Sequence, residues 1–425
     1  MAPELVGRFG HIGAIVESDA ENLANLRVMA ARGSLQVHLG WFHRYPARFA
    51  SEVVGSMLAG VLRRLDGPLH CCLDPFAGTG AALAACRQLG VGSHGVELSR
   101  LGVTIGRLRL DPPPVVEDAI ALLDDWSRLR GPNRPTICPE LQWWLGPDNS
   151  RVLSALLENL SDVRDVRLRR FATVAISQTL RPASRWLVGS VKLTADPRRE
   201  PPDIGDQLRR WSAVIAKDCV AERLRNRIVA GKIVPASIDE GDACALNLPD
   251  GSVDAVVTSP PYFVTYDYFS VNRLSYLAFN WPMPRTQQVG AASGHTTDGV
   301  GFVPPASMAT WYSSRFGGEY RAIGRALRAY IQQMRLHLDE LHRVLRPGGI
   351  VAYAVASSFR DGRDFDLTRA CREMMITAGF EDVQTLHRSV GGRRILPAGR
   401  DRSSGRFSGT ADAGVKERLI FARRP

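Results

Sequence analysis

Short apolar runs alternate with helical patterns along most of this chain, and that alternation leaves few folds open. Leu69–Leu73 reads as a buried strand ending at Asp74. A glycine turn follows, then Ala81–Leu89 reads as a helix with Gly90 as its C-cap. Val91–Leu98 is the next strand, with Glu97 near its end, and a helix from Leu101 to about Leu110 stops at Asp111-Pro112-Pro113-Pro114. Strand texture returns at Ile233–Ile238, Asp254–Thr258, Ile350–Ala356, Val383–Leu386 and Arg418–Ala422. Helical patterns cover about Tyr320–Leu345 and Leu367–Ala378. Strands separated by helix-length crossovers pair in parallel, so the expectation is an α/β fold: a mostly parallel sheet with helices on both faces. Ligands of such sheets sit beyond the carboxyl ends of the strands, near the point where strand order reverses.

The triple proline marks a boundary. From there to about Gly231 apolar residues recur at helical spacing, as in Val152–Leu160 and Val166–Ala175, between Pro- and Arg-rich turns. This predicts a catalytic domain of residues 1–111 and 232–425 interrupted by a mostly helical insertion, 112–231. A segment from Phe263 to about Gly318, rich in Tyr, Gly, Ser and Pro, has the texture of a functional loop.

Two motifs stand at strand ends. In Asp74-Pro75-Phe76-Ala77-Gly78-Thr79-Gly80, Gly78 and Gly80 let the backbone turn sharply beside a ligand, and Asp74 can accept from an ammonium group. Glu97, ending the next strand, can take both hydroxyls of a ribose. Position 83 is Leu83, not the third glycine of the dinucleotide fingerprint, and no Lys-Ser/Thr follows as in a phosphate-binding loop. A nucleoside without phosphates fits better. The second motif is Thr258-Ser259-Pro260-Pro261-Tyr262. A small hydroxyl and a proline carbonyl can hold an exocyclic amine, and the Tyr262 ring can stack on the base carrying it.

Taken in order, Asp74 to Gly80, Glu97, Asp242 and Thr258 to Tyr262 resemble the amino-methylating (cytosine-N4 or adenine-N6) site-specific DNA methyltransferases. These are class I enzymes dependent on S-adenosyl-L-methionine. Tyr45-Pro46-Ala47-Arg48-Phe49 is similar to the family's leading motif, and Arg343 to Gly349 resembles the helix-to-strand junction of class I methyltransferases. The resemblance covers the chain outside the insertion. It implies a Rossmann-like seven-stranded sheet with one antiparallel strand. It also implies that Tyr45, Pro46 and Phe49 pack on the methionine end of the donor, that Asp74 and Phe76, Ala77, Gly78, Thr79 and Gly80 hold its methionine moiety, that Glu97 holds its ribose, and that Asp242 with Ala243 meets its adenine. Ser259, Pro260 and Tyr262 are then the catalytic residues, with no metal. Tyr266, Asp267, Tyr268 and Phe269 are expected to form pocket wall. The family more often places its target-recognition region elsewhere than between Glu97 and Asp242.

The acceptor must leave the duplex to reach such a pocket. Methylation at carbon-5 of cytosine needs a thiolate, and no cysteine lies in the second motif, so covalent catalysis is disfavoured. By the resemblance, Ser259 favours the 4-amino group of cytosine, while adenine-N6 is the alternative. More distant alternatives are an RNA amino-methyltransferase and a catalytically idle nucleic-acid binder. The formal charge of +11 favours polyanionic partners. Arg169, Arg170, Arg181 and Arg185 in the insertion, and a basic tail from Gly391 onward with Arg393, Arg394, Arg400, Arg402, Arg406, Lys416, Arg418, Arg423 and Arg424, are candidate phosphate contacts. DNA is the expected partner, with a companion restriction endonuclease implied. The seven cysteines show no metal-ligand spacing, no apolar stretch approaches a membrane span, and no secretory signal is legible. A cytoplasmic location is expected.

Overall fold

The computed structural model describes residues 37, 39–46, 49–190, 193–228, 234–263, 267–285, 287–290, 304–316, 322–356, 358–360, 363–387 and 417–425. Helix α1 (Ser51–Arg64) precedes β1 (Cys71–Asp74), α2 (Ala81–Gln88), β2 (Gly92–Glu97) and α3 (Arg100–Leu110). Five helices of the insertion follow: α4 (Val116–Trp126), α5 (Pro139–Leu145), α6 (Pro147–Asp162), α7 (Val166–Leu180) and α8 (Ile204–Ile228). The sheet resumes with β3 (Ala236–Glu240) and β4 (Val253–Thr258). Short helices α9 (Tyr268–Val271) and α10 (Arg273–Ala278), then α11 (Ala306–Phe316) and α12 (Ala322–Val344), lead to β5 (Leu345–Ala356). A small hairpin, β6 (Ser358–Arg360) with β7 (Arg363–Phe365), precedes α13 (Leu367–Thr377), β8 (Glu381–His387) and β9 (Glu417–Arg423).

The seven strands run in the order β3-β2-β1-β4-β5-β9-β8. The β1–β2, β2–β3, β1–β4 and β4–β5 pairs are parallel, and β9 lies antiparallel between β5 and β8. This is the expected Rossmann-like class I methyltransferase sheet. Strand order reverses between β1 and β4, so the crevice that such sheets offer a ligand opens at the ends of those two strands. Side chains divide with the two-residue period of a strand. Along β5, Ile350, Ala352 and Ala354 join the core beneath α1, while Val351, Tyr353 and Val355 join the core beneath α12. Both faces are covered, which explains why these strands read as continuous apolar runs rather than alternating ones.

The third strand starts later than its apolar texture suggests, at Ala236, and runs on to Glu240; the difference reflects pairing with β2 rather than hydrophobicity. The insertion is helical, but it is not a detached lobe. Leu101, Ile105 and Leu108 of α3, Phe171, Val174 and Ile176 of α7, and Phe269, Leu274 and Tyr276 beyond β4 share one buried cluster. A buried ion pair strengthens that junction: Arg109 of α3 meets Glu222 of α8 at 3.3 Å, and the Arg109 Nε also donates to the Thr79 carbonyl at 2.9 Å. Arg273 of α10 forks onto Glu140 of α5, with both bonds 2.6 Å long.

The basic tail divides. Residues 388–416, with Arg393, Arg394, Arg400, Arg402, Arg406 and Lys416, lie outside the described residues. Arg418 and Arg423 belong to β9 and pair with Asp366 and Asp66, while Arg424 donates to the Leu345 carbonyl. These three guanidinium groups serve the fold rather than standing ready for phosphates. No helix among the described residues is long and apolar enough to cross a membrane, and no cluster of metal-ligating side chains occurs among them.

Candidate active site

A cavity of about 550 Å³ opens at the carboxyl ends of β1 and β4. Of the sequence-predicted residues, Tyr45, Pro46, Phe49, Asp74, Phe76, Ala77, Gly78, Thr79, Glu97, Asp242, Ala243, Ser259, Pro260 and Tyr262 all line it. Gly80 does not. With φ of +73° it forms the N-cap of α2, where an added Cβ would lie 3.4 Å from the Gly106 Cα. Its glycine serves a left-handed turn and the approach of α2 to α3. Gly78, at φ +53°, is the glycine that faces the cavity.

On one side two carboxylates set the chemistry. Asp74 is buried at the end of β1; its Oδ1 accepts from Thr258 Oγ1 at 2.6 Å and from the Phe76 N–H at 3.2 Å. Burial pushes its carboxyl up to about 7; the Thr258 and Phe76 bonds pull the other way, and the nearby Glu97 charge adds to the rise. Such a group gains from a cation placed beside it. Glu97 is half-buried and accepts from the Gly78 N–H and the Ser99 N–H, both at 2.8 Å. Burial raises its carboxyl, against the lowering influence of those two N–H groups and of the Tyr45 hydroxyl. Glu97 therefore shapes the glycine turn as well as facing the cavity. Asp242 accepts from the Cys244 N–H at 2.8 Å, which fixes the turn after β3. The Ala243 carbonyl meets His337 Nδ1 at 3.1 Å, and the same ring meets the Tyr353 hydroxyl at 2.6 Å and packs 4.6 Å from Phe76. Burial drops His337 to about 4, so it is a neutral prop behind the wall.

On the other side the polar groups hang from the edge of β5. The Ser259 hydroxyl donates to the Ala354 carbonyl at 3.0 Å, which leaves the oxygen's lone pairs to accept. The Tyr262 hydroxyl accepts from the Ala356 N–H at 3.1 Å, so the ring is held at its far end. The Pro261 carbonyl accepts from Tyr330, whereas no group among the described residues donates to the Pro260 carbonyl. Thr258 joins the two sides, since its hydroxyl reaches Asp74 and its chain neighbour is Ser259.

Tyr268 and Phe269 line the cavity, and Tyr268 stacks on Tyr45 with centroids 6.2 Å apart. Asp267 turns outward and caps α9 through Ser270, because the start of that helix exposes N–H groups an aspartate can satisfy; Tyr266 lies outside the described residues. Sequence reasoning missed Ser99, Gly241 and Gln287, Gln288 and Val289, all lining residues. Ser99 had a signal, as a serine directly before a helical pattern, and it does cap α3. Gln287 to Val289 had none beyond the composition of their long loop. They reach the site because Gly290, at φ +78°, packs where a Cβ would stand 2.8 Å from the Tyr262 carbonyl oxygen.

No protein-family model matches the chain, and no curated protein does. Among solved structures it is similar to the rRNA methyltransferase aviRa from Streptomyces viridochromogenes, with 12% identity over 90% of this chain and 89% of that one and a TM-score of 0.30. It is also similar to the [4+2]-cyclase SpnF, with 13% identity over 96% and 95% and a TM-score of 0.35. Likenesses this distant bear on neither substrate nor cofactor, and the strand order alone carries the fold.

Proposed function

We propose that the protein is an S-adenosyl-L-methionine-dependent methyltransferase acting on the exocyclic 4-amino group of cytosine in DNA. One observation carries this reading: Asp74 with the Gly78 turn, and Ser259-Pro260 with Tyr262, face a single cavity at the point where strand order reverses. The buried Asp74 carboxylate suits an α-ammonium group, the Gly78 turn suits close backbone approach, and Glu97 with Asp242 suits the hydroxyls and amine of a nucleoside. When bound, such a donor supplies a methyl group already activated on a sulfonium centre.

The chain's own residues have a narrower task. An aromatic amine is a poor nucleophile because its lone pair is delocalised into the ring. Ser259 Oγ and the Pro260 carbonyl, accepting from the two amine hydrogens, favour a tetrahedral nitrogen and turn its lone pair toward the donor side. Tyr262, anchored at its hydroxyl, offers a ring face on which the extruded base stacks. No cysteine lines the cavity among the described residues, and Cys244, the nearest in sequence to Asp242, is held by burial far above the usual thiol range. This favours direct transfer over a covalent enzyme intermediate.

The test is to incubate plasmid DNA with protein and donor, digest to nucleosides and analyse by mass spectrometry. The expected product is 4-methylaminocytosine. Only 6-methylaminoadenine would overturn the choice of base, and methylation confined to RNA would overturn the substrate class.

A further inference from the structure

Several arginines of the helical insertion are held by ion pairs. Arg128, Arg151, Arg167, Arg170 and Arg209 each meet an aspartate within 3.5 Å. Arg44 and Arg181 meet no carboxylate among the described residues; both lie against indole rings, and Arg181 also donates to the Ser190 carbonyl. The Arg44 guanidinium lies 5.5 Å from the centre of Trp211, and that of Arg181 lies 4.4 Å from Trp186. The two residues line one small cleft of about 20 Å³, together with Gln178. Burial, with a smaller contribution from the Arg44 charge, lowers Arg181 to about 10. Two like charges without a counter-ion are a standing cost that an anion would relieve.

A second observation is independent of charge. Gln178 is 2% exposed, and its Oε1 accepts from the Arg44 N–H at 2.9 Å, which fixes the orientation of the amide. Its Nε2 then faces a buried space with no acceptor among the described residues. The indole N–H of Trp211, 7% exposed on the ring beside Arg44, also has none. A buried donor left unmatched beside a cation pair calls for an oxygen-rich ligand. The cleft has room for about one oxygen-sized group, so the body of that ligand lies at its mouth, where Arg44 is exposed. Location points the same way: Arg44 directly precedes Tyr45, a wall residue of the large cavity.

We propose that Arg44 and Arg181, with the Gln178 amide beneath them, form a seat for a backbone phosphate of the nucleic acid whose base enters the neighbouring cavity. This rests on the nucleic-acid reading above and assigns it a docking point. Arginine beside an indole face offers a phosphate both charge and a fixed fork of donors, and it also tolerates a stacked base.

The experiment is fluorescence anisotropy of a labelled mixed-sequence DNA duplex over a KCl series, using the full chain. Neutralising one phosphate contact lowers the slope of log affinity against log salt by about 0.9. Because both arginines serve one phosphate, Arg44→Gln, alone or combined with Arg181→Gln, is expected to lower the slope by about 0.9, with Arg44→Lys close to the native value. Arg128→Gln, which removes an arginine paired with Asp124, leaves the slope unchanged. Donor affinity and thermal midpoint of Arg44→Gln match the native protein. Should Arg181→Gln fail to fold, the exposed Arg44 decides alone. An unchanged slope in Arg44→Gln while the native protein still modifies DNA overturns the seat and leaves the functional reading intact. An equal drop in Arg128→Gln also overturns it, since the field would then be diffuse. Absence of both duplex binding and modified nucleosides overturns seat and reading together.

Discussion

The two sides of the cavity are built by different means. The Asp74–Glu97 side is mostly local: a strand end, a glycine turn and the next strand end, with carboxylates that accept from nearby backbone N–H groups and, for Asp74, also from Thr258 of β4. The Ser259–Tyr262 side is assembled at a distance, since both hydroxyls depend on residues of β5 more than ninety positions away. The first side is preorganised by buried charge, the second by the register of β4 against β5. Changes to the first should therefore alter affinity for the donor, and changes to the second should alter the rate of transfer.

The hardest blow to that division would come from the acceptor side. Ser259→Ala and Tyr262→Ala are each expected to cut turnover by about 100-fold or more, the scale of losing one group that orients or stabilises the reacting centre. Donor affinity, measured by calorimetry, should stay within about threefold. Equal losses in both quantities would mean that the two sides are not separable.

Asp74→Asn comes next. Removing a charge-assisted contact costs about 1.5–3 kcal/mol, so donor affinity should fall about 10- to 100-fold. The sharper form of this test uses pH. In the free protein Asp74 titrates near 7, raised from its ordinary value, and a cationic partner needs it ionised. Donor affinity should be flat above about 7 and weaken by up to tenfold per unit below it, and Asp74→Asn should flatten that dependence. Stability of the free protein runs the opposite way. A raised carboxyl contributes fully at low pH, and its contribution is lost as pH rises through about 7. A pH-independent donor affinity would remove Asp74 from the donor site.

Two smaller effects separate architecture from contact. Gly80→Ala should lower stability by about 1–2 kcal/mol, because an alanine at φ +73° is strained, yet leave donor affinity unchanged. Tyr262→Phe removes the bond from the Ala356 N–H while keeping the ring. It should slow turnover by about fivefold, the equivalent of about 1 kcal/mol, and far less than Tyr262→Ala.

The sheet and most of the cavity wall were legible because the signals are short in sequence. An apolar run ending at Asp74, a glycine that must turn at Gly78, and a serine-proline corner after Val257 each declare themselves within about ten residues. Gly80 shows the boundary of that logic: the same glycine-turn signal predicts both a ligand-facing and a packing role, and only the closeness of Gly106 separates them. Gln287 to Val289 carry no periodicity, so nothing local could place them beside Tyr262.

By itself the sequence determined the alternation of strands and helices and the two chemical corners at strand ends, because strand length, turn stereochemistry and hydrophobic period are properties of neighbouring residues. Only the tertiary structure decided that the insertion shares a core with α3 and α10, that Arg109 clamps the glycine turn to Glu222, and that the Arg418–Arg424 cations are consumed by the fold. Those outcomes depend on which distant surfaces meet when both faces of the sheet are covered, and no stretch of chain carries that information alone.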